Sequence, residues 1–129
     1  MSTHRKQYHF RASQNGLLSW DVTQLIEKSS CLPVKSVSLS DIRELDECFW
    51  YDLGGASPTC RNIVEHVKLI QATDLQYPII LSNDGRVMDG MHRVCKALLQ
   101  GLKCIKAVQF NHEIPPDFIN REPKDLLYD

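Results

Sequence analysis

Asp89-Gly90-Met91-His92-Arg93 brings an acid, a residue without a side chain, an imidazole and a guanidinium together in five consecutive positions. A β-prone run precedes these residues and an apolar repeat follows them, which places them where a strand hands over to a helix. The first backbone N–H groups of such a helix lack helical partners, and together with the helix dipole they favour an anion. His92 and Arg93 in the first turn run against that dipole, which disfavours a cation there by about 0.3–1 kcal/mol. A phosphate seated between the N–H groups and the Arg93 guanidinium removes the conflict, because arginine can grip phosphate through two parallel hydrogen bonds. The spacing also allows a plainer arrangement, in which Asp89 caps the helix, Arg93 pairs with a nearby acid and His92 is structural.

The elements that must position these residues follow from local patterns. Tyr77 to Ser82 is β-rich, Asn83-Asp84-Gly85 supplies a turn, and Arg86 to Asp89 returns as a second strand. The helix after Gly90 carries Met91, Val94, Cys95, Leu98 and Leu99 on one face and stops at Gly101 as a left-handed cap; Lys103 to Phe110 closes the sheet. Upstream, Asp21 caps a helix running to about Ser29, with Gln24 at the capping-box position and Trp20 stapled to Leu25. Pro33 starts a strand over Val34 to Leu39, and Ser40 caps a short helix through Leu45. The stretch from Cys48 through Phe49, Trp50 and Tyr51 to Gly54-Gly55 reads as a surface loop. Ser57-Pro58 opens a longer helix to about Ala72, whose Ile63, Val67 and Ile70 form a stripe to bury on the sheet. Residues 1–16 are polar and aperiodic and read as a flexible arm. The body spans residues 17–110. Residues 111–129, with Pro115, Pro116 and Pro123, read as an extended tail. The fold class is therefore α/β in the α+β sense: a small mixed sheet with flanking helices.

With 129 residues, 43% hydrophobic and 24% charged, the chain has the balance of one globular domain able to build a core unaided. Fifteen basic against sixteen acidic residues leave a net charge of −1, so counterion release gives little drive toward nucleic acid and DNA is not the expected partner. No apolar run approaches the ~20 residues that cross a bilayer, and the polar N-terminus lacks a signal-peptide core, so no membrane association and a cytoplasmic location are expected. The five cysteines, at 31, 48, 60, 95 and 104, include no CxxC pair and read as reduced thiols. The histidines show no ligand spacing, so no protein-held metal is expected and any Mg²⁺ would arrive with a nucleotide.

Residues 77–110, YPIILSNDGRVMDGMHRVCKALLQGLKCIKAVQF, resemble the conserved body of ParB-like domains in the ParB/sulfiredoxin superfamily. The shared features are a Pro-apolar strand, a glycine turn, a second strand, an acidic-Gly-x-(His or Glu)-Arg box, a helix ending in Gly and a last strand. The likeness extends more loosely back to residues 34–39. It is strongest to short free-standing ParB-like proteins, which share a tail like EPKDLLYD.

Three activities accompany that resemblance. Sulfiredoxins carry a nucleophilic cysteine where this chain has Met91, and a thioether cannot replace a thiolate, so the chain is not expected to be an active sulfiredoxin. Gly90, His92 and Arg93 still match the phosphate-binding half of that site, and with Met91 between them they form the candidate phosphate-binding segment. Chromosome-partitioning relatives bind CTP at the box and DNA through a following helix-turn-helix, a pattern not visible after residue 110 here; the nuclease label would need a carboxylate cluster that the sequence does not display. Free-serine kinases have a box reading Asp-Gly-x-His-Arg, which implies Asp89 as base or Mg²⁺ ligand and His92 with Arg93 on phosphate oxygens. Those kinases also use an early glutamate, for which Glu44 and Glu47 are candidates. Trp50 is either a wall for a base or an anchor of its loop, and Arg61 either a second phosphate contact or a solvated cation. The expected function is binding of a nucleotide (ATP, ADP or CTP) or a phosphorylated small molecule, with phosphotransferase or nucleotidase activity as one form of it. The alternatives are a noncatalytic ligand-sensing or protein-interaction module, a homodimer among its forms, and a DNA-associated ParB-like protein without its own helix-turn-helix.

Overall fold

A computed structural model of the protein describes residues 7–51, 56–123 and 126. The element order is β1 (Tyr8–Ser13), β2 (Gly16–Asp21), α1 (Val22–Ser29), β3 (Lys35–Ser38), two single 3₁₀ turns (Leu39–Asp41 and Arg43–Asp46), α2 (Cys60–Ala72), β4 (Ile79–Leu81), β5 (Val87–Asp89), α3 (Met91–Leu99), β6 (Cys104–Gln109) and β7 (Phe118–Ile119). The α+β class is what the structure shows, in two small sheets ordered β3-β6-β4-β5 and β1-β2-β7.

The first sheet is mixed: β4 runs parallel to β6, while β3 and β5 are antiparallel to their neighbours. Its two-residue alternation divides the core. Ile79, Leu81, Ile105 and Ala107 face Met91, Val94 and Ala97 of α3 with Leu39 and Ile42. Ile80, Val108 and Phe110 face the other way, against Trp20, Leu25 and Ile114. In β5 the pairings Ile80 with Asp89 and Leu81 with Val87 leave Met88 as an extra residue, a bulge immediately before the Asp89 junction.

The second sheet departs from the expected flexible arm. Residues 8–13 pair with residues 16–21 as a hairpin joined by Gln14-Asn15. Trp20 supplies the reason: its ring is buried and its indole N–H donates to the Ile114 carbonyl at 2.9 Å, so β2 is fixed to the body and β1 is fixed to β2. The tail runs extended as expected and adds one short strand, β7, to β2, while the Asp21 backbone N–H donates to Asp117 at 2.7 Å. Residues 1–6, the loop positions 52–55 with the Gly54-Gly55 pair, and tail residues 124, 125 and 127–129 lie outside the described residues.

One helix cap stands where expected and two move. Asp21 caps α1 as expected, accepting from the Thr23 N–H. Ser38 rather than Ser40 caps the next segment, which winds as two separate 3₁₀ turns instead of one short helix. Thr59, not Ser57, caps α2 by accepting from the Asn62 N–H.

The larger correction concerns burial of α2. It buries no residue; Ile63 is 47% and Val67 41% exposed, so the expected stripe does not lie on the sheet. The half-buried line of α2 is Asn62, His66 and Ile70, which shares one face at i, i+4, i+8. Lys96 of α3 fastens the end of α2, donating to the Gln71 carbonyl at 3.1 Å and the Thr73 carbonyl at 2.6 Å. In α3, Met91, Val94 and Ala97 are buried, whereas Leu98 and Leu99 are exposed. Gly101, at φ 74°, is the left-handed stop the sequence requires.

Candidate functional site

Gly90 is the N-cap of α3, with φ 103° and ψ 23°, and no side chain caps the helix. A side chain at this position would be strained by the backbone, and its Cβ would fall 2.7 Å from Ile79 Cγ2 and 2.8 Å from Arg93 Nη2. The first-turn N–H groups therefore open beside a residue that must stay small. Asp89, Gly90, Met91 and His92 line a cavity of about 560 Å³, with Val87, Met88, Phe49, Trp50 and residues of β1 opposite.

Asp89 does not cap the helix, and Arg93 does not line this cavity. The Arg93 guanidinium turns to Asp89, Nη2 to Oδ2 at 3.1 Å, and to the Pro78 carbonyl at 3.4 Å. The charge that opposed the helix dipole is thus met by the carboxylate one residue ahead of the cap, and an anion is not needed to relieve it. Arg93 Nε is buried without a hydrogen-bond partner among the described residues.

His92 is joined to a residue the sequence reading did not single out. Its Nε2 lies 2.9 Å from His66 Nδ1 of α2, and both rings stack on Trp50, at 4.0 Å for His66 and 4.8 Å for His92, within 19° of parallel. Burial, then the neighbouring His66 and Arg93, lowers the His92 pKa to about 4; burial also lowers that of His66. His92 is consequently neutral at pH 7. It can offer a hydrogen bond to phosphate but not a charge, so Arg93 is the one cation of the box.

Trp50 stacks on both imidazoles and lines both cavities. The second, larger cleft, of about 800 Å³, adjoins the first along Tyr8, His9, Phe10, Phe49 and Trp50 and contains Glu44, Glu47, Arg11, Asp84 and Arg86. Glu44 is buried and Oε2 accepts from the Val87 N–H at 2.9 Å, which ties it to the strand leading to Asp89. Glu47 receives Arg86 Nη1 on both oxygens, at 2.8 and 2.7 Å. Both candidate glutamates thus reach the cleft. Arg61 does not: it is exposed on α2 and lines neither cavity.

His9, Arg11 and Arg86, which line the cavities, and His66, which pairs with His92, were not singled out as candidates from the sequence. Asn15-Gly16 following the β-prone Tyr8-His9-Phe10 was a hairpin signal that could have found the first two. No local signal marks His66, because its partner lies 26 positions away.

No cluster of three or more His, Cys, Asp or Glu side chains suited to a metal occurs among the described residues. A single carboxylate such as Asp89 is nonetheless a fitting partner for Mg²⁺ that carries most of its ligands as nucleotide phosphates and water. All five cysteines are free, and among the described residues no helix is long and apolar enough to cross a membrane. Comparison with protein-family models, with curated proteins and with solved structures finds no match.

Proposed function

We propose that the chain binds a nucleotide or another phosphorylated small molecule, with its phosphate at the N-terminus of α3. The observation that carries this reading is the uncapped helix start: Gly90 brings no side chain to the first-turn donors and faces a cavity of about 560 Å³, within the usual size of small-molecule sites. Arg93 is held next to that corner by Asp89, and a phosphate offers the guanidinium a doubly bonded alternative. Transfer of Arg93 to phosphate frees the Asp89 carboxylate to receive a proton or to meet Mg²⁺. The neutral His92 then donates to a phosphate oxygen. This arrangement suits phosphotransfer or nucleotide hydrolysis like that of the free-serine kinases of the ParB/sulfiredoxin superfamily, with Glu44 or Glu47 as the early acid. A cytoplasmic location belongs to the same reading.

Calorimetric titration with ADP and Mg²⁺ tests it. Arg93→Ala should weaken binding by about tenfold to a hundredfold, the loss of a charge-assisted contact; equal affinities contradict the role given to Arg93. Any phosphoryl transfer or hydrolysis should fall with Asp89→Asn, and unchanged turnover would make Asp89 structural.

The interaction-module alternative draws on a different observation, the exposed Ile63, Val64 and Val67 along α2. Sedimentation distinguishes it: a homodimer lost on Val67→Glu favours that reading, and a monomer at all concentrations opposes it.

A further inference from the structure

Strand β1 is the outer strand of the β1-β2-β7 sheet, and its hydrogen-bond register decides which backbone groups that edge presents. In an antiparallel pair, residues that bond to the partner strand alternate with residues whose N–H and C=O turn outward. The Val22 N–H donates to the Gln7 carbonyl at 2.9 Å, so Gln7 bonds to β2, and His9 and Arg11 follow at two-residue steps. Phe10 and Ala12 therefore point away from β2. The residues opposite them, Ser19 and Leu17, fix the same phase: their carbonyls turn to the other side and accept from the Asp117 and Asn120 N–H groups at 2.8 and 2.7 Å. The outward groups of Phe10 and Ala12 find no hydrogen-bond partner among the described residues. Sheets usually blunt such an edge with proline, lysine or a covering segment. Residues 8–13 contain neither proline nor lysine, and Arg11 turns inward to Ser82 Oγ at 3.4 Å and over the Trp20 ring. The cleft of about 800 Å³ touches all of residues 8–12. Since consecutive strand side chains point to opposite faces, a cleft that meets five in a row runs along the edge itself.

We propose that β1 receives an extended segment of a partner protein as a further antiparallel strand, with apolar residues beside Phe10 alternating with basic residues beside Asp84 and Glu47. Main-chain bonds to Phe10 and Ala12 supply affinity, and the alternate side chains supply specificity. The cleft's volume is in the range of single-ligand sites, which suits a few residues of one strand. It does not suit the three-stranded sheet that β1 of a second copy would bring with it. Charge selects the segment. Asp84 is 55% and Glu47 37% exposed, while the arginines paired with them, Arg11 and Arg86, are 32% and 29% exposed. The carboxylates are thus the outer members of both pairs, and a basic side chain is the complement they favour. This inference goes beyond the phosphate reading, since it uses neither Gly90 nor Arg93.

A fluorescein-labelled peptide of alternating valine and lysine, followed by anisotropy with the full chain at pH 7, tests the proposal. It should bind, and the same peptide with glutamate in place of lysine should bind about tenfold more weakly or worse. In an antiparallel pair the residues opposite Phe10 and Ala12 are the valines, and their N–H groups face β1. N-methylation of the valines keeps every side chain and should weaken binding by about tenfold or more, a check that needs no variant of the protein. Ala12→Pro removes an outward N–H and no bond to β2. It should leave the urea unfolding midpoint near that of the parent and weaken the lysine peptide about tenfold. The inference is overturned by a lysine peptide that does not bind the folded parent, by equal binding of the glutamate or valine-methylated peptide, or by unchanged binding to Ala12→Pro. A dimer of the parent that Ala12→Pro dissolves overturns it as well, because a second copy would then be what covers β1.

Discussion

At the scale of single residues, Gly90 is the position most constrained by both backbone and space. Gly90→Ala must take φ 103° and place a methyl 2.7 Å from Ile79 Cγ2. A loss of about 2 kcal/mol or more is expected in urea unfolding, with the Arg93–Asp89 pair displaced. Glu44 shows the opposite dependence on side-chain chemistry. Glu44→Ala strands the Val87 N–H and should cost about 1–3 kcal/mol, whereas Glu44→Gln retains an acceptor and should cost less. The histidines set the acid limit. His9 and His92 have folded pKa values near 4, below the 6.5 of an unfolded histidine, so the unfolded chain takes up their protons first as pH falls. Stability is therefore intact above about pH 6.5 and is lost progressively toward pH 4. The slope per histidine is at most about 1.4 kcal/mol per pH unit, less for the part-exposed His92, where solvent screens the interaction. Denaturation midpoints at pH 7 and pH 5 check this, and His9→Phe should flatten the difference.

At the scale of elements, α2 and α3 have similar apolar patterns and different fates. Val94→Ala, in the fully buried face of α3, should cost about 2 kcal/mol, while Ile63→Ser or Val67→Ser on α2 should stay within about 0.5 kcal/mol. Local patterning made α1, the β4–β5 hairpin, α3 and β6 legible, because in each the cap, turn and apolar repeat agree. It did not make the partner of α2 legible. An apolar stripe states that a face could be buried, but here a hydrogen-bonded histidine and a lysine clamp on the carbonyl end decide which face turns inward. The strand β1 was obscured by polar composition, since His9 owes its burial to Trp20 and Phe49 rather than to its own hydropathy. Of the candidate site, the Asp89–Arg93 junction was readable from local pattern, while Glu44 and Glu47 were candidates only through the resemblance; Arg93 is directed by Asp89 four residues before it, and the pairing of His92 with His66 depends on a contact across the fold.

At the scale of the whole molecule, one mixed sheet separates two apolar clusters, and the small sheet β1-β2-β7 lends β1 to the wall of both cavities. The junction at Gly90 and the cleft at Glu44 are thus halves of one surface, assembled from both ends of the chain. The most direct test is to follow backbone amide resonances by NMR while inorganic phosphate, and then ADP with Mg²⁺, are added at pH 7. The largest shifts should fall on Met91, His92 and Arg93, whose N–H groups open at the start of α3. Saturating ligand that leaves those three amides unmoved would contradict phosphate binding at this helix.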